Sequence, residues 1–89
     1  MISVGIPTFN EEKVISNCIL SVLKQIGKND EVIVVASGCT DKTPEMVKNI
    51  AKKDKRVKLI IEKERKGKSS ALNLIKRNAK NNIIVQTDG

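Results

Sequence analysis

The sequence contains no histidine, tryptophan or tyrosine, and Phe9 is its single aromatic residue. A core without aromatic rings has to be built from Ile, Val and Leu. The shortage also disfavours a site for single-stranded nucleic acid, because such sites stack bases on aromatic side chains. The two cysteines, Cys18 and Cys39, match no zinc or redox spacing, so nothing indicates an oxidising compartment. We interpret Cys18 as a core residue and Cys39 as an exposed loop thiol.

Long apolar runs are also absent. No segment approaches the roughly 20 apolar residues of a membrane span, and the N-terminus has neither the basic start nor the apolar stretch of a signal peptide. We therefore expect a cytoplasmic protein, or one at the cytoplasmic face of the membrane if a longer parent carries membrane helices. The 89 residues predict one small domain, residues 1–89.

Charge is unevenly distributed along the chain. Residues 1–41 carry three lysines and five acidic residues, a net charge of −2, whereas residues 42–80 carry fourteen Lys or Arg and four acidic residues, a net charge of +10. With Asp88 the total is +7. Such a basic half suggests a polyanion, a phosphate ligand or an acidic membrane surface. For most of these residues we favour the simpler interpretation of solvated helix faces.

Apolar runs alternate with helical patterns. Strands are predicted over residues 2–6, 31–36, 57–61 and 83–86, with helices over about 11–25, from Thr43 onwards, and from Ser69 or Ser70. This order predicts an α/β fold in which a four-stranded parallel sheet, in strand order 3-2-1-4, carries helices on both faces. The result would be one Rossmann-like half.

Helix signals support these assignments. Asn10 can cap the first helix, with Glu11 and Glu12 in its first turn. The apolar stripe of this helix is predicted to include Val14 and Cys18. Thr43 is a predicted hydroxyl cap, followed by proline at the first helical position and then an acid.

In such a sheet, ligands bind beyond the carboxyl ends of the strands. This rule selects residues 7–12, 37–41, 63–68 and 87–89 as a common rim. The small residues at Ser37 and Gly38 let backbone amides approach an anion. Lys66 and Lys68, just before a helix start, form a natural diphosphate site. Taken singly, each segment also fits a purely structural role, and their convergence at one rim favours a functional one.

Four stretches resemble motifs of the family 2 glycosyltransferases, and they occur in the family's order and spacing. They are PTFNEE at residues 7–12, VVASGCTDKT at 34–43, KGKSSALN at 66–73 and VQTDG at 85–89. The last is similar to the start of the strand that carries the family's D-x-D motif. The resemblance covers the whole chain.

The resemblance implies a GT-A fold that binds a nucleotide-diphosphate sugar together with Mg²⁺ or Mn²⁺. By position, Pro7 and Phe9 would border the base, and Glu11 or Glu12 would lie near the base or ribose. Lys68 would lie near the phosphates. Asp88 matches the first Asp of D-x-D and would be a metal ligand. Thr8, Ser37 and Gly38 complete the candidate nucleotide-sugar site.

Two departures from the family pattern affect the expected function. Ala36 and Ser37 replace the usual Asp-Asp pair, so a carboxylate that hydrogen-bonds the base is missing, at a cost of roughly 1–3 kcal/mol in affinity. The second Asp of D-x-D and the general base for the acceptor hydroxyl would lie beyond residue 89. We therefore name no catalytic residue within the chain and expect binding of the donor without complete sugar transfer.

Two other interpretations also fit the sequence. The basic segment would suit a small nucleic-acid-binding module, although we do not favour nucleic acid as a partner because no basic recognition helix is apparent. The sheet edge would also suit a self-associating structural role, for example a homodimer. The sequence does not indicate the acceptor.

Overall fold

Strands and helices alternate along residues 1–85, the part of the chain that the computed structural model describes. The elements are β1 Ile2–Thr8, α1 Ile15–Gln25, β2 Glu31–Ser37, α2 Thr43–Lys53, β3 Val57–Glu62, α3 Lys68–Asn78 and β4 Asn82–Val85. The predicted alternation is therefore confirmed. Gln86, which we placed in the fourth strand, lies outside the described residues. Within residues 1–85 no helix is both long and apolar enough to cross a membrane.

The four strands form one sheet in the order β3-β2-β1-β4, and every neighbouring pair is parallel. Val4 of β1 pairs with Val32 of β2 on one side and with Ile84 of β4 on the other. This arrangement confirms the predicted strand order. Because all strands run the same way, the carboxyl ends of β1, β2 and β3 lie along one edge of the sheet.

Successive residues of β2 face opposite sides of the sheet and supply two separate cores. Val32 and Val34 pack with Ile15 and Ile19 of α1 and with residues of α2. On the other face, Ile33 and Val35 pack with Ala71 and Ile75 of α3. Helices therefore cover both faces, as predicted. All seven residues of β2 are buried, which explains its nearly continuous apolar sequence.

The start of α1 differs from the prediction. The helix begins at Ile15, and a turn precedes it in which the amides of Val14 and Ile15 donate to the carbonyl of Glu11. Glu11 and Glu12 consequently lie outside the first helical turn. Asn10 is not a helix cap, because its φ of 49° places it in the left-handed region. Val14 is exposed, since the buried stripe begins one residue later.

Other boundaries also shift by one or two residues: β2 ends at Ser37, β3 ends at Glu62 and β4 begins at Asn82. β1 continues through Pro7 to Thr8, because proline keeps a φ that a strand tolerates even though it lacks an N–H. Thr43 is the first residue of α2 rather than its cap, and its hydroxyl accepts a hydrogen bond from the Glu11 amide at 2.9 Å. α3 begins at Lys68, before the predicted serines.

Candidate functional site

A cavity of about 200 Å³ opens at the carboxyl edge of the sheet. It lies where β1, β2 and the loop before α3 meet. Its wall combines apolar, polar and cationic groups, contributed by Pro7, Thr8, Phe9, Glu11, Ser37, Arg65, Gly67, Lys68 and Ala71. Three of the four predicted rim segments therefore converge on one space. The fourth, with Asp88, lies outside the described residues.

Phe9 forms an apolar part of the wall directly after β1. The guanidinium of Arg65 lies over its ring, with Cζ at 4.1 Å from the ring centroid. This is the geometry of a cation–π contact. One face of the ring is therefore covered by a planar cation, which itself lines the cavity. The ring and the guanidinium therefore form one stacked unit at the wall of the cavity.

Asn10 fastens the segment after β1 to the loop after β2. Its Oδ1 accepts hydrogen bonds from the amides of Thr40 and Asp41 at 2.8 and 3.2 Å, and its Nδ2 donates to the Thr40 hydroxyl at 3.2 Å. Its left-handed backbone conformation turns the chain so that these contacts form. The Asn10 side chain thus joins two rim segments about 30 residues apart.

The same two segments are joined a second time through Asp41 and Thr43. The Glu12 amide donates to Asp41 Oδ2 at 3.1 Å, and the Thr43 amide donates to Asp41 Oδ1 at 2.9 Å. Burial raises the pKa of Asp41, but hydrogen bonds from Thr43 and Glu12 outweigh it and lower that pKa below its ordinary value. These hydrogen bonds therefore fix the segment after β1 against the loop after β2. Glu11 lies at the cavity wall, and its carboxylate accepts a hydrogen bond from Thr8 Oγ1 at 3.2 Å.

Ser37, the last residue of β2, is buried and donates its hydroxyl proton to Glu62, the last residue of β3. The other carboxylate oxygen of Glu62 accepts from the Ser70 hydroxyl at 2.5 Å. Hydrogen bonds from Ser37 and then Ser70 lower the pKa of Glu62. Glu62 is therefore an anion at neutral pH, held against the polar wall of the cavity by two serines.

Cationic and backbone groups line the side of the cavity nearest α3. The helix begins at Lys68 after Gly67, whose φ of 93° few other residues adopt. The first amides of a helix have no partner within it, and the helix dipole favours an anion at this end. With Lys68 and Arg65 beside them, these amides make this wall suited to a phosphate.

Three predicted site residues, Lys66, Gly38 and Glu12, do not line the cavity. The Gly38 amide donates to the Glu62 carbonyl at 2.9 Å, so it is not free to meet an anion. A Cβ at Gly38 would lie 2.7 Å from the Arg65 backbone nitrogen, so glycine lets this loop lie close to Arg65. The Glu12 amide donates its hydrogen bond to the Asp41 carboxylate, as described above. Gly38 and Glu12 support the rim without bordering the space.

The two thiols are half-buried. Cys18 packs against the core of α1 and α2, and Cys39 is not the exposed thiol that we expected. The Cys39 sulfur accepts from the Asn10 amide at 3.4 Å and donates to the Thr8 carbonyl at 3.9 Å. Burial raises the pKa of both thiols, which keeps them protonated and unreactive at neutral pH.

No group of three His, Cys, Asp or Glu side chains within residues 1–85 is arranged to hold a metal ion. The predicted metal ligand, Asp88, lies outside that range. One carboxylate would also fill only part of a Mg²⁺ or Mn²⁺ shell, because such ions take six or more oxygen ligands including water.

Arg65, Glu62 and Ser70 are site residues that sequence reasoning missed. Arg65 lies in a predicted rim segment that carries several cations, and nothing local distinguishes it from its neighbours. Glu62 follows an apolar run as any loop residue would. The register of β3 against β2, which pairs Ser37 with Glu62, is the signal that would have identified it.

Comparison with known proteins gives consistent matches. The family model described as Glycosyl transferase family 2 matches residues 3–89. An uncharacterized glycosyltransferase of Haemophilus influenzae is 38% identical over 88 residues, which cover 99% of this chain and 35% of the relative.

Solved structures agree with the sequence matches. The mannosyltransferase PcManGT from Pyrobaculum calidifontis, in complex with GDP-Man and Mn²⁺, superposes with a TM-score of 0.78 at 35% identity, over 85% of this chain and 23% of that one. S. aureus TarS in complex with UDP gives a TM-score of 0.85 at 26% identity, over 97% of this chain and 26% of that one. The chain therefore spans about a third or less of these proteins.

Proposed function

Because the chain belongs to glycosyl transferase family 2, we propose that it binds the nucleotide-diphosphate part of a sugar donor in the cavity at the carboxyl edge of its sheet. The observation that carries this proposal is the convergence of Phe9, Ser37 and Lys68 on one cavity. An apolar ring suits a base, a polar wall suits its ring edge, and a lysine at a helix start suits phosphate.

The size of the cavity limits what it holds. Sites for drug-sized ligands typically enclose about 300–1,000 Å³. At about 200 Å³, this cavity is smaller and takes only part of a nucleotide sugar. Since the chain also spans 35% or less of its relatives, we propose donor binding, rather than complete sugar transfer, as the activity of these residues.

Calorimetric titration with UDP and GDP in the presence of Mn²⁺ tests donor binding. We expect Lys68→Ala to weaken binding by about tenfold, because a cation beside the phosphates is lost. Lys76→Ala is the matched control, since Lys76 is exposed in the last turn of the same helix and does not line the cavity. Absence of heat with every nucleotide, in a chain shown to be folded by circular dichroism, would refute the proposal.

We also propose that Asp88 supplies one ligand to the Mg²⁺ or Mn²⁺ that accompanies the donor. Support comes from the resemblance to the D-x-D motif and from the Mn²⁺ in the PcManGT complex. If so, Mn²⁺ strengthens UDP binding by the wild-type chain and has less effect on Asp88→Asn. Equal enhancement in both proteins would exclude Asp88 as a ligand.

Self-association through β4 is a second proposal. Ile83, Ile84 and Val85 are all exposed, although they are apolar strand residues. An uncovered apolar strand at a sheet edge can pair with another chain.

A further inference from the structure

Positive charge is concentrated at the edge of the sheet where the strands begin, opposite the cavity. We call this the amino edge, and it comprises the last turn of each helix, the turn that follows it and the first residues of the next strand. Each helix runs back along the sheet between two parallel strands, so all three helices end there. Their last turns contribute five cations, Lys24, Lys52, Lys53, Lys76 and Arg77.

Five more cations lie in the turns and strand starts of the amino edge: Lys28, Lys55, Arg56, Lys58 and Lys80. With three acidic residues, Asp30, Glu31 and Asp54, this edge has a net charge of +7. The rest of residues 1–85 carries seven cations and six acidic residues, a net charge of +1. The excess charge of the described chain is therefore almost entirely at the amino edge.

The three acidic residues of the amino edge all have partners within the chain. Glu31 is buried and pairs with Lys58, and Asp54 pairs with Arg56, each at 2.7 Å. Asp30 is half-buried and accepts hydrogen bonds from two backbone amides at 2.8 and 2.7 Å. The other eight cations are exposed. A partner that approaches this edge therefore meets exposed charge of one sign.

The helix dipole explains only part of this charge. A cation in the last turn of a helix is stabilised by the dipole, but the effect falls off within that turn. Lys28, Lys55 and Lys80 lie in the turns beyond the three helices, where the dipole gives little stabilisation. These three lysines nevertheless border one surface cavity of about 340 Å³. Cations from three separate turns are thus gathered around one space without a structural requirement for their charge.

We infer that the amino edge docks the chain onto the surface of a lipid bilayer that contains anionic phospholipids. A bilayer of this kind presents a diffuse negative potential, which attracts clusters of basic residues. Seven of the eight exposed cations are lysines, whose compact charge needs no particular partner geometry. This inference is independent of donor binding.

Nucleic acid is the competing polyanion, and the amino edge suits it less well. Nucleic acids are recognised by arginine forks, by a helix laid in a groove or by aromatic stacking. At this edge the helices present their ends, Arg77 is the one exposed arginine, and the single aromatic residue, Phe9, lies at the opposite edge. The lysines surround the sheet from both faces, since α1 and α2 pack on one side and α3 on the other.

The length of the strands separates the two edges. β1 has seven residues, which span about 20 Å. That distance is more than twice the Debye length of about 8 Å at physiological salt. Charges at the carboxyl edge should therefore contribute little to docking, and lysines there provide a matched control.

The test is co-sedimentation of the whole chain with vesicles of phosphatidylcholine alone and of phosphatidylcholine mixed equally with phosphatidylglycerol. We expect binding to the mixed vesicles only, and we expect added salt to weaken it. The triple variant Lys28→Gln, Lys55→Gln, Lys80→Gln should lower the partition coefficient by about a hundredfold, since each lysine near such a surface contributes a factor of about five.

The control variant Lys13→Gln, Lys42→Gln, Lys63→Gln removes the same net charge from exposed residues at the carboxyl edge. It should lower the partition coefficient by less than about threefold. Circular dichroism checks that both triple variants fold, and all six substituted lysines are exposed.

Four results would each overturn the inference. The wild-type chain fails to bind mixed vesicles at low salt, or it binds neutral vesicles equally well. The two triple variants lose binding equally, which would make net charge rather than the amino edge responsible. RNA or duplex DNA binds more tightly than mixed vesicles at equal phosphate concentration, which would assign this edge to nucleic acid. The assay contains no nucleotide, so a failure of donor binding does not affect its outcome.

Discussion

Glu31, the first residue of β2, is a buried carboxylate at the edge of the sheet opposite the cavity. One oxygen pairs with Lys58 Nζ at 2.7 Å, and the other accepts from the Ser3 hydroxyl at 2.6 Å and the Lys80 amide at 2.7 Å. Burial by itself raises the pKa of Glu31, but these partners together lower it to about 2. This residue therefore joins β1, β2, β3 and the turn before β4.

Glu31→Gln should destabilise the chain in a pH-dependent way. A carboxyl whose folded pKa lies near 2, against an ordinary value of 4.5, stabilises the fold above about pH 5 and loses that contribution as the pH falls towards 2. The difference corresponds to about 3 kcal/mol, and we expect about 2–3 kcal/mol because Lys58 is partly exposed. Urea unfolding at a series of pH values measures it.

The exposed residue Glu64 provides the control for this experiment, since its replacement by Gln should change the free energy of unfolding by less than about 0.5 kcal/mol. A destabilisation by Glu31→Gln that stays constant from pH 7 to pH 3 would contradict the ionic account. It would indicate a loss of packing or of neutral hydrogen bonds instead.

The structural roles of some residues cannot be predicted from a single sequence. Asn10 before two glutamates has the pattern of a helix cap, yet its partners are Thr40 and Asp41, about 30 residues away. Thr43 has the sequence pattern of a helix cap, but its hydroxyl instead accepts a hydrogen bond from the Glu11 amide. Both functions depend on which loops the strand order brings together, so local propensity cannot reveal them.

At the scale of elements, β1 and α3 lie in close contact at Gly5. A Cβ on Gly5 would lie 2.7 Å from both Cδ1 and Cγ2 of Ile75, which is fully buried. Gly5→Ala should therefore cost about 1–3 kcal/mol through overpacking. Gly27→Ala is the matched control, because its nearest neighbour would be Asp30 Oδ2 at 3.6 Å, an ordinary contact.

A double-mutant cycle identifies the cause. Ile75→Ala alone should cost about 2–5 kcal/mol, and together with Gly5→Ala the loss should be smaller than the sum, because the new methyl group occupies the space that Ile75 leaves. Strict additivity in urea unfolding would show that Gly5 matters for its backbone rather than for the approach of α3.

The elements themselves were largely predictable from sequence. Strands alternating with helices and the rarity of left-handed crossovers restrict the topology to very few arrangements, and the observed order is the predicted one. The carboxyl-edge rule then selected Phe9, Ser37 and Lys68, which do line one cavity. The Ser37–Glu62 hydrogen bond was not predicted, because it depends on the register of β2 against β3, which hydrophobic patterning leaves undetermined.

At the scale of the whole molecule, two forces oppose each other at the sheet edge. The exposed apolar residues of β4 favour pairing with a second copy, whereas a net charge of +7 makes two copies repel. Added salt screens the repulsion over distances of about 10 Å or more, but it leaves the hydrophobic contribution of the β4 side chains largely unchanged. Association should therefore strengthen as salt rises, the reverse of what an electrostatic complex would show.

Light scattering over a dilution series at low and high salt measures this association. Ile84→Lys should abolish it, because the charge falls at the centre of the exposed strand, whereas Ile61→Lys changes an equally exposed residue on β3 at the opposite edge and should have little effect. The opposite ranking would assign the contact to β3. A monomer mass at every concentration and salt would show that charge repulsion dominates, and that an uncovered β4 does not by itself bring two chains together.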